Sequence, residues 1–146
     1  MSEEKNKAVV RRFVEEMDKG NLGVADELVA PDAVDHTPFP GAPSSGPAAP
    51  KAVWSMLLQA FPDGRNEVLD VLAEGDRVAI RSRFEGTHSG EFMGVPATGK
   101  RVAAESIDIV VVRDGKLYDH WGVFDAAGLM AQINPPPAAP AGAPPT

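Results

Sequence analysis

The sequence predicts an α+β fold, a curved antiparallel sheet wrapped around N-terminal helices so that the two enclose a conical cavity. Apolar residues recur at helical spacing as far as Phe61, and the period changes to two from Asn66 onward. The stretch SIDIVVVRDGKLYDHWGVFD, Ser106 to Asp125, then supplies two strand-like runs joined by a turn. Helices first and strands afterwards are the order of an α+β domain rather than of alternating βαβ units. A curved sheet covered on one side by helices leaves a pocket, which is where a small-molecule site belongs.

Val9, Val10, Phe13, Val14 and Met17 lie on one helical face, with Ser2 as N-cap and Glu3 and Glu4 in the first turn; this helix ends near Lys19-Gly20. Asn21 is positioned to cap a second short helix carrying Leu22, Ala25, Leu28 and Val29, which Pro31 closes. Ala33 to Thr37 follows as a short extended piece. Pro38 to Pro50 is too rich in Pro, Gly and Ser for regular structure and reads as a long loop, either a lid or a surface insertion. Ala52, Val53, Met56, Leu57, Ala60 and Phe61 restart the helical spacing, and Pro62-Asp63-Gly64 stops it. Asn66–Glu74 and Arg77–His88 form a hairpin about Gly75-Asp76, with Val78, Ile80, Ser82 and Phe84 on one face. Arg81 and Arg83 lie on the other, where they either pair with Glu67, Asp70 or Glu105 or neutralise a ligand carboxylate. Ser89 to Arg101 connects this hairpin to the next, and Asp125 caps a last helix with Leu129, Met130 and Ile133. Residues 1–134 make one domain, and the Pro/Ala-rich tail 135–146 is expected to be disordered.

In the second hairpin the turn type decides which polar groups meet. With Asp114-Gly115 as a two-residue loop, Val112 faces Leu117 and Asp108 faces Trp121. With Arg113-Asp114 as a type I turn and Gly115 as a left-handed bulge, Val112 faces Lys116 and Asp108 faces His120. The bulged form is preferred, because it puts Asp108, Tyr118 and His120 on one face and Ile107, Ile109, Val111, Trp121 and Val123 on the other. A carboxylate against an imidazole is the minimum equipment for moving a proton; it is also ordinary cross-strand sheet chemistry. An outward apolar stripe of this kind calls for a partner, and a homodimer joined sheet to sheet would cover it.

Composition removes several classes of function. The chain has 146 residues, 43% hydrophobic and 24% charged, values of an ordinary globular domain. A net charge of -7 without a Lys/Arg cluster argues against nucleic acid and anionic membrane surfaces. Absence of cysteine excludes thiolate nucleophiles, disulfides and cysteine metal sites. The three histidines lack the short helical spacing of a metalloprotease helix, so neither a metal nor a cofactor is expected. A charged N-terminus and no long apolar run point to the cytoplasm.

Four segments carry a family resemblance: FVEEMDKGNLGVADELVAPDAVDH (Phe13 to His36), QAFPD (Gln59 to Asp63), GTHSGEFMGVPATGKRV (Gly86 to Val102) and DGKLYDHWGVFD (Asp114 to Asp125). With them the chain resembles the SnoaL-like polyketide cyclases and their ester cyclase relatives, over essentially Asn6 to Asn134. The resemblance implies the nuclear-transport-factor-2-like fold, a cystatin-like α+β barrel shared with ketosteroid isomerases and limonene epoxide hydrolases. It also implies a cofactor-free intramolecular aldol closure of a hydrophobic, polyketide-like substrate. The family's catalytic aspartate follows its His-Trp pair and its histidine lies on the preceding strand; in this chain those slots hold Gly122 and Asp108. His120 matches the His-Trp histidine, and His36 and His88 match histidines near the cavity mouth.

The sequence therefore nominates Asp108 and His120 as the acid/base pair and Tyr118 as a donor to developing oxyanion charge. His36, Trp54, His88, Phe92 and Trp121 are the substrate-binding candidates. A strand-end cap for His36, a loop-fixing bond for His88 and simple core packing for Trp54 are the structural alternatives. A non-catalytic carrier of small molecules and an epoxide-hydrolase- or isomerase-like activity are the other functional readings.

Overall fold

A computed structural model describes residues 2–134; the expected disordered tail lies outside them. In chain order the elements are α1 (Glu3–Asp18), α2 (Val24–Leu28), β1 (Val29–Asp35), α3 (Ala48–Ala60), β2 (Arg65–Glu74), β3 (Arg77–Thr87), β4 (Arg101–Arg113), β5 (Lys116–Phe124) and α4 (Ala126–Ile133). The strands form one sheet in the order β1-β5-β4-β3-β2. The α+β class stands, but the sheet is mixed and five-stranded rather than four-stranded and antiparallel.

The added strand is β1, which runs parallel to β5. Pro31, expected to stop a helix, sits inside it. A proline is tolerated here because β1 is an edge strand and its register with β5 is irregular between Val29 and Val34, where no ladder donor is needed. The chain then doubles back along the free edge of β1: Asp35 N–H donates to Ser44 O at 2.9 Å and Gly46 N–H to Ala33 O at 2.8 Å. The expected Pro38–Pro50 loop is therefore tied at its returning end. Pro50 belongs to the first turn of α3, where a helix asks for no N–H. Ser2 caps α1 through Lys5 N at 3.1 Å, as the sequence implied. Asn21 does not cap α2; Gly23 holds that position, and the Asn21 amide bonds Glu16 instead.

Two apolar clusters fill the concave side. Val10, Phe13, Val14 and Met17 of α1 meet Val78, Ile80, Val110 and Val112 from the sheet. In the second cluster Phe61, Phe84, Phe92, Val102, Leu129 and Ile133 pack together. Phe61 is fully buried there, edge-on to Phe84 with ring centres 5.4 Å apart and 5.3 Å from Phe92.

The hairpin register also differs from expectation. Arg113 pairs Lys116 and Val112 pairs Leu117, so Asp114-Gly115 is a two-residue loop with both residues at positive φ. The bulge lies further along, between Val110 and Val112 on β4, where β5 contributes one extra residue. Asp108 consequently pairs Gly122, and His120 pairs Val110. The face assignment survives this change: Ile107 and Val123 lie outside, at 56% and 75% exposure. Val111 is the exception, buried at 2% despite its outward parity. Arg81 takes the structural option, bonding Asp70 at 2.6 Å and Glu105 at 2.5 Å.

Phe61→Ala is expected to cost about 3–5 kcal/mol, a full aromatic cavity at zero exposure. Chemical denaturation would show it as a fall in midpoint; a loss under about 1 kcal/mol would mean that the second cluster collapses to fill the hole.

Candidate active site

A cavity of about 440 Å³ opens between the helices and the concave sheet. Its walls are largely apolar, from Val10, Phe13 and Val14 of α1, Val53, Trp54 and Leu57 of α3, and Ile80 and Phe84 of β3. Against that lining the polar groups are few: Asp35, Ser82, Ser106, Asp108, Tyr118 and His120 among them. Apolar walls with a small set of convergent polar groups are what fixes the orientation of a hydrophobic ligand.

His120 is the centre of the polar group. Its Nε2 lies 2.7 Å from Asp108 Oδ1, a diagonal contact across β4 and β5. Its Nδ1 lies 3.0 Å from Asp35 Oδ1, and Asp35 is the register partner of His120 across the parallel pair. Both ring nitrogens thus face carboxylate oxygens. A neutral imidazole has one N–H, so it would leave a lone pair against a lone pair; an imidazolium donates to both. Burial alone pushes the His120 pKa down, but the hydrogen bond and charge of Asp108, and then of Asp35, outweigh it and leave the pKa above the ordinary 6.5.

The two carboxylates differ in what else they hold. Asp35 Oδ1 also accepts from Thr37 N–H at 3.0 Å and Thr37 hydroxyl at 3.4 Å, and the Thr37 Oγ1 in turn accepts from Gly122 N–H at 2.8 Å. Asp35 is anchored. Asp108 accepts only the His120 bond among the described residues and faces the cavity with the rest of its carboxylate. A ring with both nitrogens engaged has no free lone pair, which leaves the second oxygen of Asp108 as an unengaged acceptor on the cavity side.

Gly122 makes room for this pair. A Cβ built there would fall on Asp108 Oδ1 and lie 3.0 Å from His120 Nε2. The space that a side chain at 122 would occupy is filled by a carboxylate oxygen delivered from the neighbouring strand.

The remaining candidates separate into those that reach the cavity and those that do not. Tyr118 lines it at the bulge, with the Arg113 guanidinium 5.6 Å from its ring centre. Trp54 lines it from α3, edge-on to Phe13. Trp121 is turned to the outer face by strand alternation; it stacks on His36 at 4.5 Å and carries Arg77 on its ring at 5.3 Å. His36 lies out there too, its Nε2 2.9 Å from Asp119 Oδ1. His88 and Phe92 are buried in the second cluster, at 0% and 1% exposure, because the 88–101 connection folds back onto Phe61. His88 Nδ1 lies 2.9 Å from Thr98 Oγ1 and fixes that connection. None of these four lines the cavity. From the sequence, Asp35 beside His36 at the start of the Pro-rich loop is placed to reach a ligand; its bond to His120 was not foreseen, since that partner is 85 residues away. No cluster of three or more His, Asp or Glu among the described residues is arranged to hold a metal.

A pKa raised by folding stabilises the fold fully below the ordinary value of 6.5, and that contribution is lost as pH rises through the folded value. Gly122→Ala should displace Asp108 from the ring and bring the His120 pKa down. Imidazole NMR across a pH titration checks this, and an unmoved His120 titration would show that Asp108 does not depend on the gap at Gly122.

Comparison with known proteins agrees with this architecture along nearly the whole described chain. Residues 7–133 match the SnoaL-like polyketide cyclases. The chain is 32% identical over 140 residues to the aklanonic acid methyl ester cyclase DnrD of Streptomyces peucetius, covering 92% of this chain and 94% of that protein. It is 25% identical over 125 residues to the nogalonic acid methyl ester cyclase of Streptomyces nogalater, covering 85% and 93%. Among solved structures, AclR from Streptomyces galilaeus aligns with a TM-score of 0.82 at 31% identity, covering 96% of this chain and 91% of that one. IdmH from Streptomyces antibioticus gives 0.78 at 33%, covering 88% and 97%. With a family match over this span and relatives above 30% identity along almost their full length, the chain belongs to the SnoaL-like polyketide cyclase family.

Proposed function

We propose that this protein is a cofactor-independent, cytoplasmic cyclase acting on a hydrophobic polyketide-like ester. The observation that carries the proposal is the cavity-facing Asp108 carboxylate held 2.7 Å from an imidazolium that is itself clamped by Asp35. Asp108 removes the proton from a carbon made acidic by a neighbouring ester and carbonyl. The resulting enolate carbon attacks a second carbonyl of the same molecule, forming one C–C bond. The alkoxide so produced takes back a proton from the Asp108–His120 pair, so substrate and product are isomers and the enzyme returns to its starting charge. The imidazolium supplies the counter-charge that a carboxylate in an apolar cavity needs, and the Tyr118 hydroxyl serves as donor to the developing enolate oxygen.

Asp108→Asn keeps the shape of the site and removes its base. Turnover of aklanonic or nogalonic acid methyl ester, the compounds named for the relatives, is expected to fall at least about 100-fold with little change in binding. Undiminished turnover would sink the assignment of Asp108, whereas binding by the wild type without any turnover would make the protein a carrier. Activity should also decline on the alkaline side only above the ordinary histidine range, as His120 loses its proton.

The outer sheet face belongs to the same reading. Leu72, Ala79, Ile109 and Trp121 form one continuous row across four strands, with Ile107 and Val123 in the next. We propose that a second copy covers it, since the flanking charges of Asp70, Arg81 and Glu105 are already paired within the chain and Leu72, Ile107, Ile109 and Val123 stay exposed, although His36 and Arg77 cover Trp121. The protein should sediment as a dimer, and Val123→Asp should shift it to monomer; a wild-type monomer at micromolar concentration would rule the pairing out.

A further inference from the structure

The connection between β3 and β4 contains one residue in a conformation that its side chain does not favour. Phe92 and Val95 pair through both backbone hydrogen bonds, at 3.0 and 2.9 Å, so Met93-Gly94 is a two-residue turn. Both turn residues have positive φ, 48° for Met93 and 84° for Gly94. Such a turn suits Asn-Gly or Gly-Gly, and a long side chain in the left-handed region is strained. Glycine is already used at the second position. Methionine at the first is also half exposed, at 50%, so little burial offsets the strain.

The surroundings hold this strained residue in place. Phe92, just before it, is buried at 1% against Phe61. Ser89 and Gly90 N–H both donate to Ala60 O at 3.0 Å, docking the connection on the end of α3. His88 N–H donates to Lys100 O at 2.9 Å and Gly99 N–H to His88 O at 2.8 Å, closing its base. A Cβ at Gly90 would collide with Gln59 O, so the docking is tight. From this rigid base Met93 is the residue that the connection contributes to the cavity lining. Pro38, Phe39 and Pro40 of the 36–47 loop also contribute to that lining, and Phe39 lies near Phe124 with ring centres 6.4 Å apart.

Strain that persists beside a ligand cavity, with no gain in burial to offset it, points to a contact made when the cavity is filled. We propose that Met93 is a specificity-determining residue, an adaptable apolar edge at the cavity mouth that closes over the part of a polycyclic ester projecting beyond the catalytic pair. Its unbranched thioether side chain can fit flat or irregular ring systems without a fixed shape. The inference rests on the cyclase reading of the cavity and adds to it the residue that selects for bulk at the mouth.

The test compares Met93→Asn with Met93→Leu, both in the Asp108→Asn background so that ligand is not consumed. Without ligand, Met93→Asn relieves the turn and should raise Tm by roughly 2–4 °C, while Met93→Leu keeps the strain and should leave Tm unchanged. Binding of aklanonic acid methyl ester, followed by quenching of tryptophan fluorescence, should weaken about tenfold in Met93→Asn and stay within about twofold in Met93→Leu. Opposite movements of Tm and affinity in one variant are what a purely structural turn residue would not give. Unchanged affinity in Met93→Asn overturns the inference alone, as does a fall in its Tm. Failure of the parent to bind the ester at all overturns the cyclase reading and this inference with it.

Discussion

The charged centre of this cavity depends on two carboxylates sharing one imidazole ring. Burial opposes a charge on His120, and a single carboxylate would leave the other ring nitrogen to find a partner of its own. Asp35 and Asp108 together face both ring nitrogens and hold the His120 pKa above its ordinary value despite burial. That arrangement is possible only because β1 lies parallel to β5 with Asp35 opposite His120. The edge strand, with its proline and irregular register, is thus the element that completes the site. The Thr37 bonds to Asp35 and to Gly122 then tie the start of the 36–47 loop to β1 and to β5 beside His120.

The resemblance to the cyclase family placed an aspartate where this chain has Gly122 and a histidine where it has Asp108. Taken alone, those departures remove the family's acid/base pair. The geometry gives a different account. A side chain at 122 and the carboxylate of Asp108 compete for one volume, as the overlap of a Cβ at Gly122 with Asp108 Oδ1 shows. In this chain a carboxylate from β4 stands beside the His-Trp histidine, in the space that a side chain at 122 would need. Glycine at 122 is what the exchange requires, because any larger residue would push Asp108 off the ring.

The face of each strand was legible in the sequence, and the register was not. Asp108 and His120 were expected directly opposite each other, and they meet diagonally instead, because Asp108 sits opposite Gly122. Beyond the bulge the shift is two residues, which keeps Asp108 and His120 on the expected face, so sorting by polarity found the contacting pair through the wrong turn; at the turn end, where the shift is one, Val111 is buried against expectation. The parallel strand was beyond reach. Nothing local in VAPDAVD announces a partner more than eighty residues later, and the proline argued against a strand at all. His88 and Phe92 failed for a related reason. A histidine between Thr87 and Ser89 reads as polar and loop-like, and only the fold shows that its connection is pressed onto Phe61.

The assignment of roles within the triad follows from counting donors and acceptors. An imidazolium that already donates through both nitrogens has no lone pair to offer, so in the proposed reaction proton abstraction falls to a carboxylate. Asp35 commits one oxygen to His120 and Thr37 and sits at the back of the site, its side chain only 12% exposed; Asp108 commits one oxygen to His120 alone and lies 26% exposed on the cavity side. The same bond that sets a counter-charge beside the Asp108 carboxylate also holds a proton on a nitrogen 2.7 Å from it, within reach for return in the proposed reaction. A site built this way gathers its charged groups at one point, so the rest of the lining is free to be apolar.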